Sequence, residues 1–183
     1  MTVYAAGAIN SYAGSQMLME LASLDKLESL NMVISGNPDS LPVMEGEGVF
    51  KKLKKLKKVE IDLDFFCKVR ACFVVALAKN NPDLTVLRLM NYPTISDKTL
   101  DTLVNSCPGL EEFSYCCAFD WERATTFTDL TDLGIERMVD SAKYLKHLRL
   151  DTGRTPHVTM DLGTRLRLLY PDLHITLSRT MRI

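Results

Sequence analysis

The feature that most constrains this chain is a short apolar phrase of the form LxxLxL that returns at a nearly constant distance. It stands at Leu84–Leu89 and again at Leu145–Leu150. Looser copies are Leu27–Met32, Leu56–Ile61 and Leu110–Tyr115. The last two apolar positions of each phrase alternate with polar ones, which is the period of a strand with one buried face. Followed along the chain, these pairs are Val3/Ala5, Leu30/Met32, Val59/Ile61, Leu87/Leu89, Phe113/Tyr115, Leu148/Leu150 and Ile175/Leu177. The steps between their first members are 27, 29, 28, 26, 35 and 27 residues. A repeat of that length holds one strand and one returning helix, and no such unit buries its apolar face alone. The units are therefore expected to stack side by side, with an insertion in the one long step.

The segments between the strands carry helix signals. Thr94–Leu100 leads into Leu103 and Val104, with Ser96 or Asp97 as N-cap, and Leu130–Ile135 leads into Met138 and Val139 in the same way. Phe73–Lys79, Met17–Ala22 and Leu162–Leu169 are further helix candidates. Asn80-Asn81-Pro82 and Cys107-Pro108-Gly109 break the helices just ahead of the next strand.

This pattern resembles the leucine-rich repeat family, and within it the cysteine-containing or ribonuclease-inhibitor-like type found in F-box proteins. The resemblance covers nearly the whole chain. It is carried best by residues 82–107 and 108–142, where PDLTVLRL and TISDKTLDTLVNSC are matched by PGLEEFSY and DLTDLGIERMVDSA. The chain departs from the family where Asn or Cys usually follows the strand, for Ser35, Asp64, Tyr92, Ala118 and Gly153 stand there instead. What the resemblance implies is an α/β leucine-rich repeat solenoid, with a curved parallel sheet on the concave side and helices on the convex side. Residues 1–183 then form a single domain of six to seven degenerate repeats. Such stacks need caps, and neither a capping helix nor an F-box precedes Val3. The expectation is a piece of a longer protein, or a partner that supplies the N-terminal cap.

Composition narrows the function classes. With 46% hydrophobic and 25% charged residues the chain has the make-up of a globular domain. A net charge of −1 supplies no overall pull toward nucleic acid or an anionic membrane. The N-terminus has neither the basic and apolar regions of a signal peptide nor the arginines of a transit peptide. No run approaches a membrane span. The five cysteines, Cys67, Cys72, Cys107, Cys116 and Cys117, are odd in number and lack zinc-site spacing. Free thiols in a reducing compartment follow, and the expected location is intracellular, in the cytoplasm or the nucleus.

Residues that alternate with the buried pairs face away from the helices. Their middle members should line up across the strands as Asn31, Glu60, Arg88, Ser114 and Arg149, flanked by Met90, Glu112 and His147. This mixed surface suits a protein edge better than a phosphate backbone, which wants a basic stripe. Some of its charges are expected to pair with each other across strands.

The insertion at residues 116–128 holds the only tryptophan, Trp121, beside Phe119 and Phe127. Trp121 either tucks onto its own fold or anchors a partner. The run from Lys51 to Lys58 interposes Leu53 and Leu56, so its lysines can stay in water while the leucines are buried.

No catalytic constellation is present. His147, His157 and His174 lie in different units without a nucleophile or carboxylate at a diagnostic spacing, and there is no phosphate-binding glycine loop or nucleophile elbow. The expected function is a non-enzymatic protein–protein interaction module without cofactor, metal or small-molecule substrate. Its expected contact residues are Asn31, Glu60, Arg88, Met90, Glu112, Trp121, His147 and Arg149. A substrate-recognition adaptor of F-box type is one form of that function. The alternative is a structural subunit built permanently into a large assembly.

Overall fold

The computed structural model describes residues 2–8, 20, 23–35, 52–63, 72–92, 95–117, 129–152 and 157–178. Each expected pair lies in a strand: β1 (Thr2–Ala8), β2 (Ser29–Ser35), β3 (Lys58–Leu63), β4 (Val86–Tyr92), β5 (Glu112–Cys117), β6 (His147–Asp151) and β7 (His174–Ser178). They form one seven-stranded sheet in which order along the sheet equals order along the chain. Every neighbouring pair is parallel. The register sets the pairs in rows, with Leu30 beside Val59, Val59 beside Leu87, Leu87 beside Phe113 and Phe113 beside Leu148.

Parallel neighbours cannot be joined by a hairpin, so each connection must cross over. Among the described residues, the connections from β3 onward contain α1 (Cys72–Asn80), α2 (Asp97–Ser106), α3 (Asp132–Ser141) and α4 (Leu162–Leu169). These helices share one apolar core with a single face of the sheet. Leu87, Leu89, Leu148 and Leu150 of the strands are buried together with Leu77, Leu103, Met138 and Leu166 of the helices. Burying each such side chain stabilises the fold by about 1.5–3 kcal/mol. The other sheet face is not covered by these helices. The helix candidate at Met17–Ala22 and the insertion from 118 to 128 lie outside the described residues.

The ends of the helices explain the regular step. Ser96 caps α2 by accepting a hydrogen bond from Thr99 N at 3.3 Å, and Thr99 Oγ1 accepts from Ser96 N at 3.4 Å. Thr131 caps α3 by accepting from Gly134 N at 3.1 Å. An aspartate, Asp97 or Asp132, follows each cap and complements the helix dipole. After each helix the chain makes the same turn. Leu84, Leu110, Leu145 and Leu173 each donate their N–H to the carbonyl three residues back, at 3.1, 3.1, 3.0 and 3.1 Å.

Asn81 and Cys107 occupy equivalent places in two of these turns, and both reach back to the preceding unit. Asn81 Oδ1 accepts from Leu56 N at 2.9 Å. Cys107 Sγ donates toward Ala78 O at 3.6 Å and Asn81 O at 3.4 Å. Buried polar links between units thus sit at these two helix ends. Tyr92, at one of the positions after the strands where the family pattern is broken, is wholly buried. It gets there through a register shift between Leu89 and Tyr92, with Asn91 in the left-handed region at φ 53°. Asparagine tolerates that conformation better than most residues.

The lysine run behaves as its spacing predicts. Leu53 and Leu56 are buried, while the described lysines from Lys52 to Lys58 are exposed.

Candidate protein-binding surface

The sheet face away from the helices carries the row read from the sequence. The register aligns Asn31, Glu60, Arg88, Ser114 and Arg149, and extends the row to Tyr4 at one end and Thr176 at the other. Met90 stands beside Asp62, and Glu112 beside His147. Seven of the eight expected contact residues therefore share one face. Trp121 lies outside the described residues.

Charge on this face is organised around Arg88. Its guanidinium donates to Glu112 through Nε at 2.7 Å and through Nη2 at 3.1 Å, a two-pronged bond. Glu60 lies on the other side at 3.5 Å. The Arg88 hydrogen bond is the main cause that holds the Glu112 carboxyl below its usual range, and Glu112 in turn raises Arg88. Because the Arg88 side chain is 44% exposed, water screens much of this pairing. Its clearer consequence is geometric, since Arg88 is held by two flanking strands. Asp62 is also engaged, accepting from Asn91 Nδ2 at 2.8 Å.

The β6–β7 end differs. His147, Arg149 and His174 are all exposed. The two imidazoles meet edge to face, with ring centres 5.7 Å apart. Among the described residues Arg149 has no ion-pair partner.

Among the described residues, depressions indent this face. One of about 220 Å³ is lined by Asn31, Lys58 and Val86, and one of about 670 Å³ by Met90, Ser114, Arg149 and His174. Glu60, Arg88 and Glu112 line both, so the ion triplet stands between them.

Two buried groups of the core, Cys107 and Tyr115, add no reactive group to this face. Burial pushes the Cys107 thiol up to about 12, which removes the thiolate that nucleophilic chemistry requires. Tyr115 faces the core, where burial carries its phenol well above the usual range. Its hydroxyl has no hydrogen bond of good geometry among the described residues. Among the same residues no three His, Cys, Asp or Glu side chains gather as a metal site, and no helix is long and apolar enough to cross a membrane.

Sequence reasoning missed a second polar system, on the helix side. Asp97 accepts from the next unit's Thr131, through N at 2.8 Å and Oγ1 at 2.7 Å. Asp132 repeats this with Thr159, accepting from N at 2.7 Å and also from Oγ1. Arg137 reaches back to Asp101 at 3.4 Å and Asp97 at 3.7 Å. Arg165 reaches back in the same manner to Asp132 at 2.8 Å and Glu136 at 2.9 Å. Burial alone would raise the Asp132 carboxyl, but the hydrogen bonds from Thr159 and Arg165 outweigh it and the net shift is downward. The signal was the dipeptide pair Ser96-Asp97 and Thr131-Asp132, one long step apart.

No family model and no curated protein matches this chain. The surface must therefore be read from its own residues.

Proposed function

We propose that this chain is a leucine-rich repeat solenoid of the ribonuclease-inhibitor-like type, and that it is a non-enzymatic module that holds another protein. The observation that supports this reading is the open sheet face. One row of side chains runs in register across β2 to β6, and no two neighbours in that row are alike. Helices are wider than strands, so a stack with all its helices on one side bends and presents the sheet as a concave, rigid surface. A rigid surface binds at a lower ordering cost than a mobile one. Asn31, Glu60, Arg88, Met90, Glu112, His147 and Arg149 are the contact residues, with Trp121 of the insertion as an additional anchor. Substrate recognition in an F-box-type adaptor is the form of the function that the family resemblance suggests.

Affinity capture from a cell extract tests the reading. The chain should retain one discrete protein that the double variant Arg88→Glu/Arg149→Glu loses. A set of captured proteins unchanged by that variant removes this face as the site.

One observation favours the second reading, a subunit built into a larger assembly. Thr159 bonds to Asp132 as Thr131 bonds to Asp97, so Met160 and Leu168 stand where α3 carries Asp132 and Asp140. Asp132 and Asp140 bond to Thr159 and Tyr170 of the following unit, whereas Met160 is 77% and Leu168 78% exposed. Size-exclusion of the isolated chain separates the two readings, because a well-behaved monomer counts against the built-in subunit.

A further inference from the structure

We infer that the β6–β7 end of the open face recognises an acidic side chain on the partner, carried by an extended peptide segment that crosses the strands. This rests on the reading of the face as a protein-docking surface and names the chemistry it selects.

The basis is the unequal state of the two arginines in the row. Arg88 is held between Glu112 at 2.7 Å and Glu60 at 3.5 Å, so its charge is already matched by carboxylates of the same face. Arg149 is exposed and has no carboxylate partner among the described residues. His147 and His174 stand on neighbouring strands beside it, in edge-to-face contact. All three line the 670 Å³ depression, whose floor includes Ser114, a buried residue whose hydroxyl makes no hydrogen bond among the described residues. An entering carboxylate would find an uncommitted guanidinium, imidazole N–H groups and a hydroxyl donor within one recess. Charge-assisted hydrogen bonds of this type are about twice as strong as neutral ones.

The other wall of the recess limits what the ligand can be. Glu60, Asp62 and Glu112 also line it, and only Arg88 opposes them. A continuous polyanion such as a nucleic-acid backbone would be repelled there. A peptide that is acidic at one end and basic at the other fits both walls. Strands lie about 4.8 Å apart and an extended chain advances about 3.3 Å per residue. Glu60 on β3 and Arg149 on β6 lie in one row three strands apart, so the two peptide charges should be separated by roughly four residues.

The test uses the full chain and a short fluorescent peptide with Glu and Asp at one end, Lys at the other and neutral residues between. Fluorescence anisotropy should show saturable binding that weakens at least about tenfold when the acidic residues are replaced by Gln and Asn. Arg149→Glu should abolish it and Arg149→Gln should weaken it. Lys143→Glu, the same charge change in the turn after α3, should leave it intact. Thermal unfolding of each variant checks that the fold is kept. Equal binding of the acidic and amide peptides, or no binding to the folded chain at about 1 mM, overturns the inference. Should Arg88→Glu/Arg149→Glu still abolish capture of a protein in that case, the docking surface stands and acid recognition alone falls.

Discussion

The two sides of the sheet obey different rules. On the helix side the same contact is made twice, Asp97 with Thr131 and Asp132 with Thr159, and Arg137 and Arg165 reinforce it in the same sense. On the open side no ion pair repeats from unit to unit among the described residues. Arg88 is clamped by two glutamates while Arg149, in the same row, has no ion-pair partner among the described residues. A contact that recurs unit after unit meets a need every unit shares, which is to hold its neighbour. A residue that differs at each step has no such duty, and is open to selection by a ligand. The helix side is thus where stability should be lost on mutation, and the open side where binding should be.

The largest effect is expected at Asp97. Asp97→Ala removes two hydrogen bonds to Thr131, one of them to a backbone N–H at the start of α3. It also removes one of the carboxylates that face Arg137. Hydrogen bonds to a charged group contribute about 1.5–3 kcal/mol each when buried, and these are partly exposed, so the loss should be roughly 2–3 kcal/mol. In a chain of this length that lowers the Tm by roughly 5–10 °C. A thermal midpoint within error of the wild type would show that the repeated contact does not hold the units together.

Gly134 gives a sharper version of the same comparison. Alanine in a helix is about 1 kcal/mol better than glycine. Yet a Cβ on Gly134 would sit 2.0 Å from Asp97 Oδ1, so the carboxylate must leave Thr131 to make room. Gly134→Ala should therefore destabilise the wild type by about 1 kcal/mol, the lost bonds outweighing the helix preference. In the Asp97→Ala background the obstruction is gone, and the same substitution should stabilise by up to about 1 kcal/mol. This reversal of sign is the measurement to make by chemical denaturation. Destabilisation in both backgrounds would mean that Gly134 serves some purpose other than admitting Asp97.

What was legible in the sequence divides along the same line. Strand positions such as Leu87/Leu89 could be read because burial on one face imposes a local period of two. Ser96 could be read as one of two cap candidates, beside Asp97, because capping needs only a side-chain oxygen ahead of a helix. The row from Asn31 to Arg149 followed once the pairs were aligned. The bonds inside that row did not follow. Arg88 sits opposite Glu60 and Ser114 in register, yet its two-pronged bond runs diagonally to Glu112, a choice of rotamer that no spacing encodes. Asn81 and Cys107 read only as the residues before helix-breaking prolines, although their side chains also tie one unit to the next. The link from Asp97 to Thr131 spans the one irregular step, so strict periodicity hides it.

The smallest effect, and the one that bears most directly on the open face, concerns the two arginines of the row. Arg88→Gln leaves Glu60 and Glu112 facing each other without a cation between them. Because all three side chains are partly exposed, the cost should be held to about 1 kcal/mol. Arg149→Gln breaks no ion pair among the described residues, and should change stability by no more than about 0.5 kcal/mol. Urea midpoints read at constant m-value resolve the difference. If Arg149→Gln costs as much as Arg88→Gln, then Arg149 is committed to the fold, and the contrast that marks it for a ligand disappears. If only Arg88→Gln has a cost, the row contains one arginine that stabilises the sheet and one that contributes nothing to it. The second then needs a reason to be exposed beside two histidines, and a negatively charged partner provides one.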